Sequence, residues 1–259
     1  MGVSTVLVTR PAGQEVPLCA ALQKLGYKVC HQPLIELQAL DDIGPAARSM
    51  IEQLERYQHI IFISANAVRF GMDYLADYWP QWPLGGYWYS VGSGTARALA
   101  HWDVTALTPA AGEMTSEGLL RLPSLSVLAG QRVLIVKGEG GRDLLRKQME
   151  QLGAQVDQLV CYRRLPVVLA PGELAVRLRQ WQVNAILLSS GQGLDSLLTL
   201  ISREESTNLG EITLLVPSQR VAAQARAAGF ERLLVADNAS DGAMLQAMER
   251  WHQISGDRK

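Results

Sequence analysis

Short polar and basic residues follow nearly every segment that the sequence predicts to be a β-strand. In chain order they are Thr9–Arg10, Ser64 with Asn66, Gly92–Thr95, Lys137–Arg142, Ser189–Gly193, Ser218 with Arg220, and Asp237–Ser240. In open α/β sheets, ligands bind beyond the carboxyl ends of the strands, and helix N-terminal amides with neighbouring hydroxyls bind anions. The same residue types also serve as helix N-caps, so each turn alone has two interpretations. Taken together, the set favours an anionic ligand.

Other chemical motifs are missing from the sequence. The glycines at 92 and 94 and at 138, 140 and 141 do not complete a GxGxxG fingerprint, and there is no GK[ST] element, GxSxG elbow or HExxH motif. The three cysteines have no CxxC or Cys/His ligand spacing, and no pair of carboxylates stands out. We therefore expect no nucleotide cofactor and no metal, and neither nucleophilic nor paired-carboxylate catalysis.

The elements that must position these turns alternate between strand and helix. Apolar runs such as His59–Ile63 and Val133–Lys137 are typical of parallel strands covered on both faces, and an amphipathic helical pattern follows most of them. Alternating units of this kind predict an α/β fold with two Rossmann-like, doubly wound parallel sheets. Each sheet would belong to one lobe of about half the chain.

Two extended stretches break the alternation. Lys28–Leu37 and Leu159–Pro166 contain one internal or terminal proline each and no helical period, and we interpret them as the outbound and returning crossings between the lobes. This places one lobe at 1–37 plus 167–259, with the other lobe, 38–166, inserted into it. On this interpretation the ligand site is the cleft between the lobes, and Tyr162 lies in its hinge wall.

Seven aromatic residues lie between Tyr74 and Tyr89. They could form a stacking surface for a ring-shaped ligand. The alternative, which we favour, is that they pack into the core of the inserted lobe, because aromatic side chains are foremost core material.

Composition limits the partners. The 259 residues carry a formal net charge of −1, with 48% hydrophobic and 19% charged residues, as in soluble globular proteins. A chain without bulk positive charge is not expected to bind nucleic acid or an anionic membrane surface. The unpatterned cysteines and the lack of a secretion signal or a long apolar run predict a cytoplasmic protein. We expect a monomer that binds a small molecule.

Eight motifs in chain order resemble uroporphyrinogen-III synthases. They are VTRPAG from Val8, PLIEL from Pro33, ISANAV from Ile63, VGSGTARAL from Val91, SEGLL from Ser116, KGEGGRDLLRKQMEQLGAQV from Lys137, CYRR from Cys161 and LLSSGQGL from Leu187. The similarity runs from about Val6 to Met248 and is weakest in Tyr74–Trp82 and Ser202–Gly210. Each motif alone is weak, and their common order makes the resemblance specific.

The resemblance implies two Rossmann-like lobes joined by two strands, and it implies a reaction. Hydroxymethylbilane, a linear tetrapyrrole with eight carboxylates, loses water and cyclises with inversion of its last ring through a spiro intermediate, without a cofactor. Tyr162 matches the family's tyrosine in the returning strand, so it is the expected catalytic proton donor. The alternative is a tyrosine that merely packs in the hinge.

The resemblance also indicates residues that bind the substrate. Thr95 matches the family's threonine in the VG…TA turn. The further expected binding residues are Arg10, Ser64, Lys137, Gly140, Gly141, Arg142, Ser189, Ser190, Gly191 and Ser218. The turn Pro217–Ala222 departs from the IGPTTA pattern of relatives, which leaves the roles of Ser218 and Arg220 open. Two alternatives come from other classes: a non-catalytic two-lobed binding module for an anionic small molecule, and a two-lobed glycosyltransferase, for which the sequence shows no nucleotide-sugar signature.

Overall fold

A computed structural model describes residues 3–141, 143–201 and 211–256. In chain order its strands and helices are β1 (Thr5–Val8), α1 (Val16–Lys24), β2 (Lys28–His31), β3 (Ile35–Ala39), α2 (Gly44–Glu52), β4 (His59–Phe62), α3 (Ala65–Ala76), β5 (Tyr87–Ser90), α4 (Ser93–Ala100), α5 (Ser116–Leu120), β6 (Arg132–Gly138), α6 (Leu144–Gln151), β7 (Gln155–Pro166), α7 (Glu173–Gln180), β8 (Val183–Leu187), α8 (Gly191–Leu200), β9 (Thr213–Val216), α9 (Gln219–Ala227), β10 (Leu233–Val235) and α10 (Asp241–Gly256).

The chain divides into two compact units, each built on one five-stranded sheet. The first unit contains Met1–Glu36 and Leu165–Lys259, and the second contains Leu37–Arg164. The first sheet has the strand order β10-β9-β8-β1-β2, and all its neighbouring strands are parallel. The predicted α/β fold class with two parallel-sheet lobes is confirmed.

The second sheet has the order β3-β7-β6-β4-β5. Strands β7, β6, β4 and β5 are parallel neighbours. Leu40 N–H donates to the Cys161 carbonyl and Val167 N–H donates to the Leu34 carbonyl. The partners therefore run in opposite sequence directions, which makes β3 and β7 an antiparallel pair. These two strands carry the chain out of the first unit and back into it.

One predicted crossing is shorter than expected. The stretch Lys28–Leu37 is not a single crossing, because β2 pairs with β1 as an edge strand of the first sheet and only β3 belongs to the crossing pair. Pro33 lies in the break between them and has no N–H to continue a ladder. The returning stretch was correctly placed as extended, but its strand begins earlier, at Gln155, and its first part is an interior strand of the second sheet.

Apolar strand runs fill cores on both faces of each sheet. On β1, Leu7 packs into one core, whereas Val6 and Val8 pack into the core on the opposite face. On β4, Ile60 and Ile61 likewise separate between two cores. Successive strand residues point to opposite faces, so a continuous apolar run is what a doubly covered strand requires.

Most of the seven aromatic residues between Tyr74 and Tyr89 pack in the core of the second unit, which is the alternative favoured from the sequence. Trp88 and Tyr89 are buried, and Tyr74, Trp79 and Trp82 pack partly buried against the same unit's core. Tyr78 and Tyr87 are exposed. Leu107 makes an isolated parallel bridge with Tyr89. Within the described residues, no helix has the length and apolar character needed to cross a membrane.

Candidate active site

In the first unit, Arg10 connects three strand ends. Its Nε donates to Ser189 Oγ at 3.1 Å, and its Nη2 donates to the Ala239 carbonyl at 2.7 Å. Its Nη1 forms an ion pair with Asp241 at the start of α10. Arg10 and Ser189, both predicted to bind substrate, are thus brought together. The charge of Arg10 is thus balanced by a carboxylate.

Two neighbouring helices of the first unit begin with serine caps. Ser190 Oγ accepts from Gly193 N–H at 3.0 Å and caps α8, and Ser218 Oγ accepts from Val221 N–H at 3.4 Å and caps α9. A Cβ added at Gly191 would lie 3.5 Å from Arg220 Nη1. The exposed Arg220 guanidinium therefore lies beside the N-terminus of α8. Two helix N-termini and an arginine side chain form an arrangement suited to carboxylates.

In the second unit, several of the expected substrate-binding residues lie at the end of β6 and in the loop after it. The Lys137 side chain is 6% exposed, and its Nζ lies 3.5 Å from Asp143 Oδ1. A hydrogen bond from Gln158, together with the charge of Lys137, holds the pKa of the Asp143 carboxyl below its ordinary value. Gly140 and Gly141 both have positive φ, where glycine is favoured. Arg142 lies outside the described residues.

Ser64 and Thr95 each lie at the start of a helix. Ser64 caps α3 by accepting from Ala67 N–H at 3.1 Å. Thr95 is buried in the first turn of α4, whose N-cap is Gly92 and has no side-chain oxygen to use. Ser64 contacts Tyr162, as described next, whereas Thr95 lies outside that contact set.

Tyr162 is the centre of a compact group of side chains. Its ring is 1% exposed and stacks on Phe70 with the ring centroids 5.1 Å apart. A Cβ added at Gly138 would lie 2.5 Å from Tyr162 Cζ, so backbone of β6 presses on the ring. The Tyr162 Oη lies 3.5 Å from Ser64 Oγ. Arg164 Nη2 donates to the same Oη at 2.9 Å. The ring is fixed, and its hydroxyl has polar neighbours.

The residue before Tyr162, Cys161, has an unreactive thiol. Cys161 is fully buried, and burial raises the pKa of its thiol to about 12. Its Sγ donates to the Lys137 carbonyl at 3.2 Å. A thiol that stays protonated is a poor nucleophile.

Sequence reasoning gave no role to Arg164, Gly138 or Phe70. Arg164 had a usable signal, because residues two apart on a strand share a face, and this arginine follows Tyr162 by two. Phe70 and Gly138 had no such signal, since their contacts with Tyr162 depend on how α3 and β6 pack. The substrate-binding roles predicted for the strand-end residues stay predictions.

Comparison with known proteins identifies the family. The family model described as Uroporphyrinogen-III synthase HemD matches residues 17–246. The Uroporphyrinogen-III synthase of Escherichia coli (strain K12) is 32% identical over 246 residues, covering 95% of this chain and 100% of that protein. The protein of the same name from Proteus mirabilis is 32% identical over 181 residues, covering 70% of this chain and 90% of the relative.

Solved structures agree in fold. A mutant uroporphyrinogen III synthase from the extremely thermophilic bacterium Thermus thermophilus superposes with a TM-score of 0.59 at 19% identity and covers 97% of this chain and 99% of its own. Uroporphyrinogen-III synthetase from Helicobacter pylori 26695 superposes with a TM-score of 0.57 at 16% identity, covering 96% and 100%. At these identities the structures support the fold, and the sequence matches carry the assignment. The chain belongs to the uroporphyrinogen-III synthase family.

Proposed function

We propose that this protein is a lyase that dehydrates and cyclises hydroxymethylbilane to uroporphyrinogen III in tetrapyrrole biosynthesis. The observation that carries this proposal is the family match over residues 17–246, supported by 32% identity to a curated relative along 95% of the chain. A non-catalytic binding module is not favoured, because the relatives matched over this length are named as synthases.

The reaction begins with loss of a hydroxyl group. The Tyr162 hydroxyl donates its proton to the leaving oxygen, the carbon–oxygen bond breaks, and water departs, leaving an azafulvenium cation on the substrate. The substituted carbon of the last ring attacks that cation to form the spiro intermediate. The last ring then breaks away and rejoins through its other α-carbon, and the proton released from that carbon restores the Tyr162 hydroxyl.

The substrate carboxylates need hydrogen-bond donors. A nearly neutral chain has no large basic patch, so these donors must be local. The helix N-termini capped by Ser190 and Ser218, with Arg220 beside Gly191, would supply them in the first unit. The first turn of α4 around Thr95 and the loop containing Gly140 and Gly141 would supply them in the second unit. A charge-assisted hydrogen bond contributes about 1.5–3 kcal/mol, so a few such donors hold a carboxylate firmly.

Tyr162 needs access to the substrate in order to act. Its ring is buried, but the hydroxyl is covered in part by Arg164, which is an exposed side chain. Exposed side chains move rapidly, so Arg164 can shift enough to admit a substrate oxygen while it keeps its hydrogen bond to the phenol oxygen. The other contacts of the ring, with Phe70 and Gly138, keep it oriented in the meantime.

We also propose that the enzyme works as a cytoplasmic monomer without a cofactor and without nucleic acid. The sequence has a formal net charge of −1, and Cys19, Cys30 and Cys161 are all free thiols. Free thiols are typical of a reducing compartment.

The test is to add freshly made hydroxymethylbilane to the pure protein, oxidise the products and separate the type I and type III porphyrin isomers. We expect type III from the parent protein, and we expect Tyr162→Phe to lower kcat about 10²–10⁴-fold, the range of a positioned general acid. The control Tyr78→Phe changes an exposed tyrosine of the same unit and leaves kcat unchanged. Type I alone from the parent contradicts the synthase assignment. An unchanged kcat in a folded Tyr162→Phe protein removes Tyr162 from the mechanism.

A further inference from the structure

Arg164 lies beside the Tyr162 ring, next to its hydroxyl group. It follows Tyr162 by two residues on β7, so both side chains leave the strand on the same side. Its guanidinium carbon lies 5.3 Å from the centre of the Tyr162 ring, and Nη2 donates to Tyr162 Oη at 2.9 Å. One arginine therefore contacts both the ring and the hydroxyl of the expected proton donor.

Within the described residues, the charge of Arg164 is not paired with a carboxylate. Arg10 is paired with Asp241, and Lys137 is paired with Asp143. Among the residues that the structure describes, no carboxylate lies within 4 Å of the Arg164 guanidinium. Its positive charge is thus directed at the phenol oxygen, where negative charge would develop if Tyr162 gave up its proton.

The direction of the hydrogen bond also matters. A guanidinium has N–H donors and no acceptor, so the Tyr162 oxygen must accept from Arg164 and cannot donate to it. Among the described residues, Ser64 Oγ, at 3.5 Å, is the other hydrogen-bond partner of this oxygen, and it already accepts from Ala67 N–H. A contact at 3.5 Å is at the weak limit of a hydrogen bond. The Tyr162 hydroxyl hydrogen therefore has no strong acceptor among the described side chains and is available to a substrate oxygen.

We propose that Arg164 is a positioning residue for Tyr162 that turns the hydroxyl proton toward the substrate and stabilises the phenolate formed when the proton leaves. This inference rests on the proposed function. In the step concerned, the Tyr162 proton and the substrate hydroxyl leave together as water, which creates one cation on the substrate and one phenolate beside Arg164. The proton lost at ring closure returns to the phenolate, so the step is balanced over one turnover.

A double-mutant cycle tests this role. Initial rates of type III formation are measured for the parent, Arg164→Met, Tyr162→Phe and the double variant, with the spontaneous type I product quantified separately. We expect Arg164→Met to lower kcat about 10-fold to 100-fold with little change in KM, the range expected for one charge-assisted hydrogen bond. In the Tyr162→Phe background the same substitution changes kcat less than about 2-fold, because residues that act as one unit are not additive.

Two further variants make the result specific. Arg164→Lys keeps a positive charge and recovers part of the kcat lost in Arg164→Met. Arg163→Met is the matched control, because Arg163 is the neighbouring arginine on β7 and its Nε donates to Gln38 Oε1 instead. That control leaves kcat at the parent value.

Two outcomes would overturn the inference while leaving the synthase assignment intact. A rise in KM with unchanged kcat would mean that Arg164 binds a substrate carboxylate. Equal losses of kcat in the parent background and in the Tyr162→Phe background would mean that Arg164 acts independently of the phenol. Failure of the parent protein to form type III would contradict the proposed function itself, and the isomer analysis separates that result from the other two.

Discussion

Gly138 determines where the Tyr162 ring can lie. A Cβ at this position would come within 2.5 Å of Cζ and 2.8 Å of both Cε atoms, and the ring also stacks on Phe70. We expect Gly138→Ala to displace the ring, to destabilise the protein by about 1–3 kcal/mol as overpacked cores do, and to lower the rate of type III formation. Urea unfolding and the isomer assay measure the two effects.

Gly242→Ala provides the comparison for that substitution. Gly242 lies in the first turn of α10 with open space where its Cβ would be and without a positive φ. Alanine there leaves activity unchanged and keeps or slightly raises stability. If Gly138→Ala retained full activity, the close fit between Gly138 and Tyr162 would have no part in catalysis.

The sequence predicts individual site residues where a local motif marks them, but it does not predict their contacts with residues far along the chain. Tyr162 followed from a motif, and the capping serines followed from their place after strands. The ion pair of Arg10 with Asp241 joins residues near opposite ends of the chain, and no local sequence pattern predicts it. Lys137 pairs with Asp143, six residues further along the chain, and no sequence pattern specifies this pairing.

At the scale of elements, the N-terminus of α8 has two roles that one substitution can separate. Ser190 caps the helix, and the same turn is expected to hold a substrate carboxylate. Asp is about as good an N-cap as Ser, so Ser190→Asp keeps the cap while it places a negative charge in the turn. We expect unchanged stability and a KM raised about 10-fold, since like charges close together repel by about 1 kcal/mol or more.

The cap of α5 controls for the effect of a new carboxylate. Thr115 Oγ1 accepts from Gly118 N–H at 3.0 Å, and no substrate contact is proposed there. Thr115→Asp leaves KM as in the parent. Steady-state kinetics at constant ionic strength compare the two variants. An unchanged KM in Ser190→Asp would leave Ser190 as a cap alone.

The element pattern was largely readable because strand and helix differ in hydrophobic period. The doubly covered strands β4 and β6 appear as continuous apolar runs, and the helices show their amphipathic spacing. The division of Lys28–Leu37 into β2 and β3 was not readable, because both halves are extended and only their pairing partners differ. Which strands pair is decided when the sheet folds, so the hydrophobic periodicity of one segment does not predict its partner.

At the scale of the whole molecule, each unit has its own hydrophobic cores. A titratable group buried where a strand begins therefore affects the stability of its own unit. His59 begins β4, where its Nδ1 is 2.9 Å from Tyr89 Oη and its Nε2 contacts Gln131 Oε1. Burial lowers the pKa of the His59 imidazole from its ordinary value near 6.5, although the bond to Gln131 opposes the shift. The neutral ring is therefore the form that the folded unit accommodates.

The sign of the pH dependence follows from that shift. Above about pH 6.5 the imidazole is neutral in both states, so its contribution to stability is fully present. As the pH falls below about 6.5, the unfolded chain binds a proton that folded His59 does not, and stability decreases by up to about 1.4 kcal/mol per pH unit until the folded-state pKa is passed. We expect His59→Gln to reduce this dependence, even though the variant is less stable at neutral pH.

Urea unfolding of the parent and the variant at a series of pH values from about 8 down to about 5 measures the slope. His101→Gln, which replaces an exposed histidine that is hydrogen-bonded to the Arg97 carbonyl, keeps the parent's pH dependence. Tryptophan fluorescence reports the transition of the second unit, because four of the chain's six tryptophans lie within it, at positions 79, 82, 88 and 102. If His59→Gln and the parent lost stability equally on acidification, another buried group would carry the acid sensitivity of this fold.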